Sequence, residues 1–407
     1  MNRFHNLVSG VVLATLVMGL GSKDSSAAEE PKPAGPGEPS PTTWSLEFSP
    51  DGKYLAAACG LPRTGGGVIV WNTADWTPHF THVEETGCAD VSFSRDSAVL
   101  AYCTCGTWAG LFDIPNGKLL KRFEHGPTRL FAVEMSADGR SLITGAKDDL
   151  IKFWNVETGK LDRTFAGHKG TIYDLQASAD GELLLSCGSD RTLRLWDAHS
   201  GESRATYNLD DFEITRISLS ADGRVHAVAM TDLHCRIYDT ATGFLRADFR
   251  GGKRAAELSS DAKLLVTSGS AGSALVYRID LEEADPETVR GIKDLLQQFE
   301  DDSIDVRDAA LSELIAFGLP AVPTLMETLD SPLVETRVRA RRARREILAG
   351  QPIAELPGHL GEVEVVCFSP DGQTIATADR QGGIKLWETG TWKHLRDLAN
   401  PIKSVMP

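Results

Sequence analysis

The chain has 407 residues, a formal net charge of -15 and 42% hydrophobic residues. That length buries a sizeable core without metals or disulfides, and the composition excludes a disordered or fibrous chain. The acidic balance repels phosphates, so no nucleic acid partner is expected.

The first 28 residues read as an export signal: Arg3 gives a positive start, Leu7 to Leu20 an apolar run, and Ser26, Ala27 and Ala28 small residues for cleavage. An exported protein is predicted, periplasmic or extracellular, with an uncleaved membrane anchor as the alternative. Residues 29–43 hold five prolines and no apolar run, the composition of a stiff, solvated linker.

From residue 44 one pattern keeps returning. The run "SADGELLLSCGSDRTLRLWD" is echoed by "SADGRSLITGAKDDLIKFWN", "SPDGKYLAAACGLPRTGGGVIVWN" and "SPDGQTIATADRQGGIKLWE". Trp71, Trp154, Trp196 and Trp387 close these copies, and Phe112, Tyr238 and Tyr277 hold the same slot in three weaker ones. The turn aspartates Asp51, Asp96, Asp138, Asp180, Asp222, Asp261 and Asp371 mark the repeat independently. Each copy predicts four short strands, for instance Ile172 to Ala177, Leu183 to Cys187, Leu193 to Trp196 and Ser203 to Tyr207. So small a sheet cannot hide both apolar faces, so the copies must stack, and stacking in a ring leaves only short, protected edges.

The fourth copy resembles the WD-repeat family through Gly167-His168, Ser186, Asp190 and Trp196-Asp197. The resemblance covers residues 44–279 and 353–398. It implies a mainly β fold, a seven-bladed WD-repeat β-propeller, here with an α-helical insertion between the sixth and seventh repeats. It also implies a bracing network within a blade: His168, Ser186, Asp190 and Trp196 in the fourth copy, His125, Thr144, Asp148 and Trp154 in the third. The seventh copy has His359, Thr377 and Trp387 but places Gln381 at the aspartate position, and the first has Gly65 there. Those two blades are expected to be looser. Members of the family usually share one blade between the two chain ends; here the first copy starts at its inner strand, and the last has its own outer-strand candidate in Trp392 to Leu398. Seven blades are expected, and the final "PIKSVMP", which looks like the start of another copy, leaves eight or a sheared closure as the alternative.

The sixth and seventh copies are separated by extra chain between Asp280 and Gly350. There the apolar residues switch to helical spacing: Val289, Ile292, Leu295, Leu296 and Phe299, then Val306, Ala309, Ala310, Leu314 and Phe317. Pro286 suits a first turn, Ser303 an N-cap, and Gly318 with Pro320 a stop. Two more helices are expected, from Ala321 to Leu329 and from Pro332 to Leu348. The stretch around Asp305, Val306 and Arg307 resembles a HEAT-type hairpin. One or two such repeats need a neighbour, either the propeller rim or a partner. Arg337, Arg339, Arg341, Arg342, Arg344 and Arg345 form a dense basic cluster, read either as a solvated helix face or as a docking surface for an acidic partner or an anionic membrane. Within it Arg337, Arg341 and Arg344 are the candidate contacts.

Seven cysteines are present. Folding the second copy about its turn sets Cys88 opposite Cys103 or Cys105, which makes a disulfide possible there. Cys59, Cys187, Cys235 and Cys367 read as buried strand residues. Cys103 and Cys105 are too close for a zinc pair and the glycine run Gly65 to Gly67 precedes a strand, so neither metal nor cofactor is expected. The His, Ser and Asp sets have the composition of catalytic triads, but their place in a repeat makes them braces. The resemblance thus implies a noncatalytic scaffold for protein or peptide partners. The candidate contacts are Arg129, Lys147, Lys169, Ser189, Arg191 and Leu360, beside the braces on the open face. An enzyme with an unrecognised hydrolase or lyase site on that face is one alternative, and a fragment of a larger repeat protein is another.

Overall fold

The structure, a computed structural model, describes residues 41–61, 65–209, 212–251, 254–279, 285–329, 331–348 and 351–402. The predicted export signal, most of the linker and the end of the tail lie outside the described residues.

The repeats form seven four-stranded antiparallel sheets, the blades of a propeller. Blades one to five cover residues 43–84, 88–124, 130–166, 172–208 and 214–250. Blade six takes residues 256–278 and closes with Ala354–Leu356, and blade seven takes residues 363–398. The inner strands are Thr43–Phe48, Cys88–Phe93, Leu130–Met135, Ile172–Ala177, Ile214–Leu219, Ala256–Leu258 and Val363–Phe368. Second strands such as Val225–Met230 are buried throughout, because neighbouring blades cover both faces. Outer strands such as Lys118–Glu124 are mostly exposed along their length.

The first hairpin of every blade is pinned the same way. Each turn aspartate accepts a hydrogen bond from the serine two residues before it, Ser49, Ser94, Ser136, Ser178, Ser220, Ser259 and Ser369, at 2.5 to 2.7 Å. The same oxygen takes the N–H two residues on.

Inner strands expose a free edge to the central channel, and side chains of the preceding blade cover it. Glu47 accepts from Phe93 N, Asp90 from Val133 N, Ser92 from Met135 N and Glu134 from Ala177 N. Asp174 accepts from Ile217 N, Gln176 from Leu219 N and Ser218 from Leu258 N. These clips run from blade one to blade six. Blade seven meets blade one through an apolar seam holding Leu46, Phe48, Trp71, Val365, Leu386 and Leu398, and the Thr42 hydroxyl donates to the Arg380 carbonyl at 2.7 Å. The ring therefore closes with seven blades and no shared one. Ile402, in the stretch that looked like the start of another copy, is buried in this seam instead.

The insertion leaves blade six between its third strand, Ala274–Arg278, and its outer strand, Ala354–Leu356. It consists of α1 (Pro286–Gln297), α2 (Ile304–Phe317), α3 (Val322–Thr328) and α4 (Val334–Leu348). Asp285 caps α1 by accepting from Glu287 N and Thr288 N. Ser303 stands at the cap position of α2, but its hydroxyl makes no cap bond. Ile292, Phe299, Leu314, Ala340 and Ile347 join the same apolar cluster as Ile237, Phe249 and Tyr277 of blades five and six. Of the two neighbours open to the insertion, it packs on the propeller.

The disulfide expected from Cys88 is absent: Cys88, Cys103 and Cys105 are free thiols. The register puts Cys88 opposite Thr104, and Cys103 opposite Asp90. Cys88 enters the apolar cluster shared with blade one, whereas Cys103 and Cys105 enter the cluster shared with blade three. The sheet itself separates them.

Candidate protein-interaction face

Three blades carry the bracing network in full. In blade four His168 lies 2.7 Å from Ser186 Oγ and 3.0 Å from Asp190, and Trp196 Nε1 donates to Ser186 Oγ at 2.8 Å. In blade three His125 lies 2.9 Å from Thr144 Oγ1 and 3.2 Å from Asp148, and Trp154 Nε1 donates to that hydroxyl at 2.9 Å. In blade seven His359 lies 2.7 Å from Thr377 Oγ1, and Trp387 Nε1 donates to it at 2.9 Å. The aspartate of blade seven is Asp379, 2.9 Å from His359, not a residue at position 381. The expectation of a looser seventh blade is thus corrected: Asp379 ends the second strand, two residues before position 381, and reaches His359 Nδ1, the nitrogen that Asp190 meets on His168. Burial would raise the Asp190 carboxyl, but His168 and the Lys169 N–H hold it well below its ordinary value. Ser186 and Thr144 are fully buried and already bound to tryptophan, so no substrate reaches them. These sets brace strands.

The other blades substitute different chemistry. Blade one has Ala57 and Gly65 at the hydroxyl and aspartate places, and pairs its second and third strands along their full length, from Tyr54 opposite Asn72 to Leu61 opposite Gly65. In blade two Tyr102 stacks on Phe112, ring centroids 4.7 Å apart, and donates to Glu84 at 3.2 Å. In blade five His226 stacks on Tyr238, and burial lowers its pKa to about 4.

Around the axis the structure adds a feature that sequence reading missed. Arg216, from the inner strand of blade five, crosses the channel and donates to the Trp44 carbonyl in blade one. Burial disfavours its charge, but Asp174 and Asp90 beside it raise its pKa further. Below Arg216 lies a cavity of about 180 Å³ that also holds Glu47, Asp90, Glu134, Asp174 and Glu257. Burial pushes Glu134 and Glu257 to about 8 and Asp174 to about 7. Above it opens a funnel of about 360 Å³ walled by Trp44, Phe131, Tyr173, Arg129, Arg254, Glu213 and Glu364. The Arg129 guanidinium lies 4.5 Å from the Phe131 ring centre, and Arg254 donates to Glu364 at 3.1 Å.

Loops entering inner strands and loops between second and third strands surround this funnel. Of the predicted contacts, Arg129 lines it, and Lys147 N donates to the Arg129 carbonyl at 3.0 Å. Lys169 N is bonded to Asp190, next to Ser189 and Arg191. Lys147, Lys169 and Arg191 are exposed, and Ser189 is half-buried. Leu360 is 88% exposed on the blade-seven loop, and Phe212 and Leu233 are exposed on loops of the same face. The predicted residues thus fall on one face, but they form its rim, and its centre is built from residues sequence reading did not select.

The arginine cluster of α4 divides. Arg339 is buried against Asp308 and Glu335, Arg342 pairs with Glu346, and Arg337 donates to the Ser331 carbonyl. Arg344 is half-buried, which leaves Arg341 as the one exposed residue of the three predicted contacts, with Arg345 exposed beside it. Val334 and Val338 continue that stripe at 65% and 55% exposure. Among the described residues no group of histidine, cysteine and carboxylate side chains could hold a metal ion.

A closed ring of seven sheets, three of them locked by a buried His, Ser or Thr, Asp and Trp, defines a repeat propeller. The family model for the WD domain, G-beta repeat, matches residues 117–155, 159–197 and 350–388, which hold the three complete braces. The chain carries WD repeats and folds as a seven-bladed β-propeller. No curated protein matches it.

Proposed function

We propose that this protein is an exported, noncatalytic scaffold whose loop face and helical insertion hold different protein partners. WD-repeat propellers serve as protein-protein interaction scaffolds, and that much follows from the family. The observation that carries the reading here is the loop face: exposed Phe212, Leu233 and Leu360 around an aromatic-walled funnel. Large apolar side chains left in water on one face mark an interaction site. Export is supported by Arg3, the run Leu7 to Leu20 and the small residues Ser26 to Ala28. The insertion adds a HEAT-like hairpin with Val334, Val338, Arg341 and Arg345 in one outward stripe, fitted to a partner with an apolar and an acidic half.

The test is affinity capture of the full-length protein from the envelope fraction. Removing the insertion would bare Phe249 and Ile237, so surface variants are used instead. Lys147→Glu with Lys169→Glu and Leu360→Asp is expected to remove one set of partners, and Val338→Asp with Arg341→Glu another. Unchanged partners in both variants, with each variant folded by circular dichroism, would overturn the scaffold reading.

A further inference from the structure

We infer that the loop face takes an acidic peptide segment: its carboxylates meet Lys147, Lys169 and Arg191, and one apolar or aromatic side chain enters the funnel. This deepens the scaffold reading and rests on it.

Charge supports the choice of ligand. The protein as a whole carries -15, yet the loops of blades three and four present four cations, Arg129, Lys147, Lys169 and Arg191, against the braced Asp148 and Asp190 and one carboxylate outside the braces, the half-buried Asp149. Those two aspartates are consumed by the braces: Asp148 binds His125 and Lys152, and Asp190 binds His168 and the Lys169 N–H. Local positive charge therefore faces outward on an acidic body, which orients an acidic ligand and speeds its encounter.

Shape supplies the second half. The funnel opens next to this arc, since Arg129 belongs to both and Phe131 and Tyr173 follow from the inner strands of the same two blades. Phe131 and Tyr173 meet edge to face with centroids 5.8 Å apart, leaving an apolar wall against Trp44. At about 360 Å³ the funnel is large enough for one bulky side chain. Its floor, the Arg216 guanidinium already bonded to the Trp44 carbonyl, stops a ligand from running down the channel. An anchor of this kind, ringed by polar contacts, is how few residues dominate an interface.

The probe is a random dodecapeptide display library selected on the full-length protein at physiological salt. Enriched peptides are expected to combine several Asp or Glu with one Phe, Trp or Leu. Their affinity, read by fluorescence anisotropy, is expected to fall roughly tenfold or more in K147E/K169E/R191E, and to weaken as salt rises. Phe131→Ala should weaken peptides that carry the bulky residue and leave their alanine-substituted forms unchanged. Neutral or basic enriched peptides, no enrichment, or acidic peptides that tolerate the triple reversal would each overturn the inference. If the triple variant still loses its captured partners while the selected peptides are not acidic, the scaffold reading stands and only this inference falls. If partners are also unchanged, both fall.

Discussion

Replacing Asp379 by alanine removes an acceptor that is 2% exposed and serves four donors. Its Oδ2 lies 2.9 Å from His359 Nδ1 and takes the Leu360 N–H at 3.3 Å, while Oδ1 takes the N–H groups of Gln381 and Gly383 at 2.8 and 2.9 Å. Bonds to a charged acceptor contribute about 1.5 to 3 kcal/mol each, but solvent reaches the loop N–H groups after truncation and recovers part of that. His359 is deeply buried and keeps no replacement, so the net cost should be about 3 to 4 kcal/mol. Gln381→Ala, at an exposed position, should stay within about 0.5 kcal/mol. Asp379→Asn keeps an acceptor without the charge and should fall between the two. Urea unfolding followed by tryptophan fluorescence reads all three, with Trp387 reporting from the same brace. A Gln381→Ala cost equal to that of Asp379→Ala would refute the assignment of the brace.

The channel carboxyls make stability depend on pH. Glu134 and Glu257 are raised to about 8 and Asp174 to about 7, so the folded protein keeps protons that the unfolded chain releases above its ordinary carboxyl range. The stability these protons give should therefore be full below the ordinary carboxyl range and fall steadily from there as pH rises toward 8, by up to ~1.4 kcal/mol per pH unit for each such group before channel water screens it. A urea midpoint that rises between pH 6 and 8 would contradict this. Arg216→Met leaves Asp90 and Asp174 without their cation and should cost about 3 kcal/mol at pH 8, and less at pH 5.5, where Asp174 holds its proton. An equal cost at both values would remove Arg216 from the charge cluster. Phe299→Ala opens a void in the cluster shared by insertion and propeller, and should cost about 3 to 5 kcal/mol in a single transition. Two separate transitions would show that the insertion folds apart from the blades. Unfolding without reductant should expose seven reactive thiols to a thiol reagent; five would restore a disulfide.

What was legible in the sequence was whatever repeats. The turn aspartates and closing aromatics are visible because each blade must make the same hairpin, and Ser49-Asp51 or Ser369-Asp371 is a local device that needs no knowledge of the ring. The helical insertion was legible for the opposite reason, since its apolar spacing breaks the repeat; its bounds in the structure follow the expected ones within a few residues. Asp379 escaped because the brace was sought at a fixed spacing, whereas the physical requirement is a carboxylate within reach of His359. The Cys88 pairing failed because residues near one another across a hairpin still point to opposite faces when their register differs by one.

The centre of the loop face was not legible because nothing local produces it. Trp44, Phe131, Tyr173, Arg216 and Arg254 come from five blades and meet only once the ring closes. The same closure gives the clips their purpose. Glu47, Asp90, Glu134 and Asp174 look like misplaced acids in apolar strands until the next blade presents an unpaired N–H to each. Of these acids Asp90 and Asp174 lie beside Arg216 and favour its charge, and Arg216 crosses to the Trp44 carbonyl. Sealing the edges of the inner strands and flooring the funnel are thus one arrangement, and a substitution that breaks a clip should also alter what the loop face can hold.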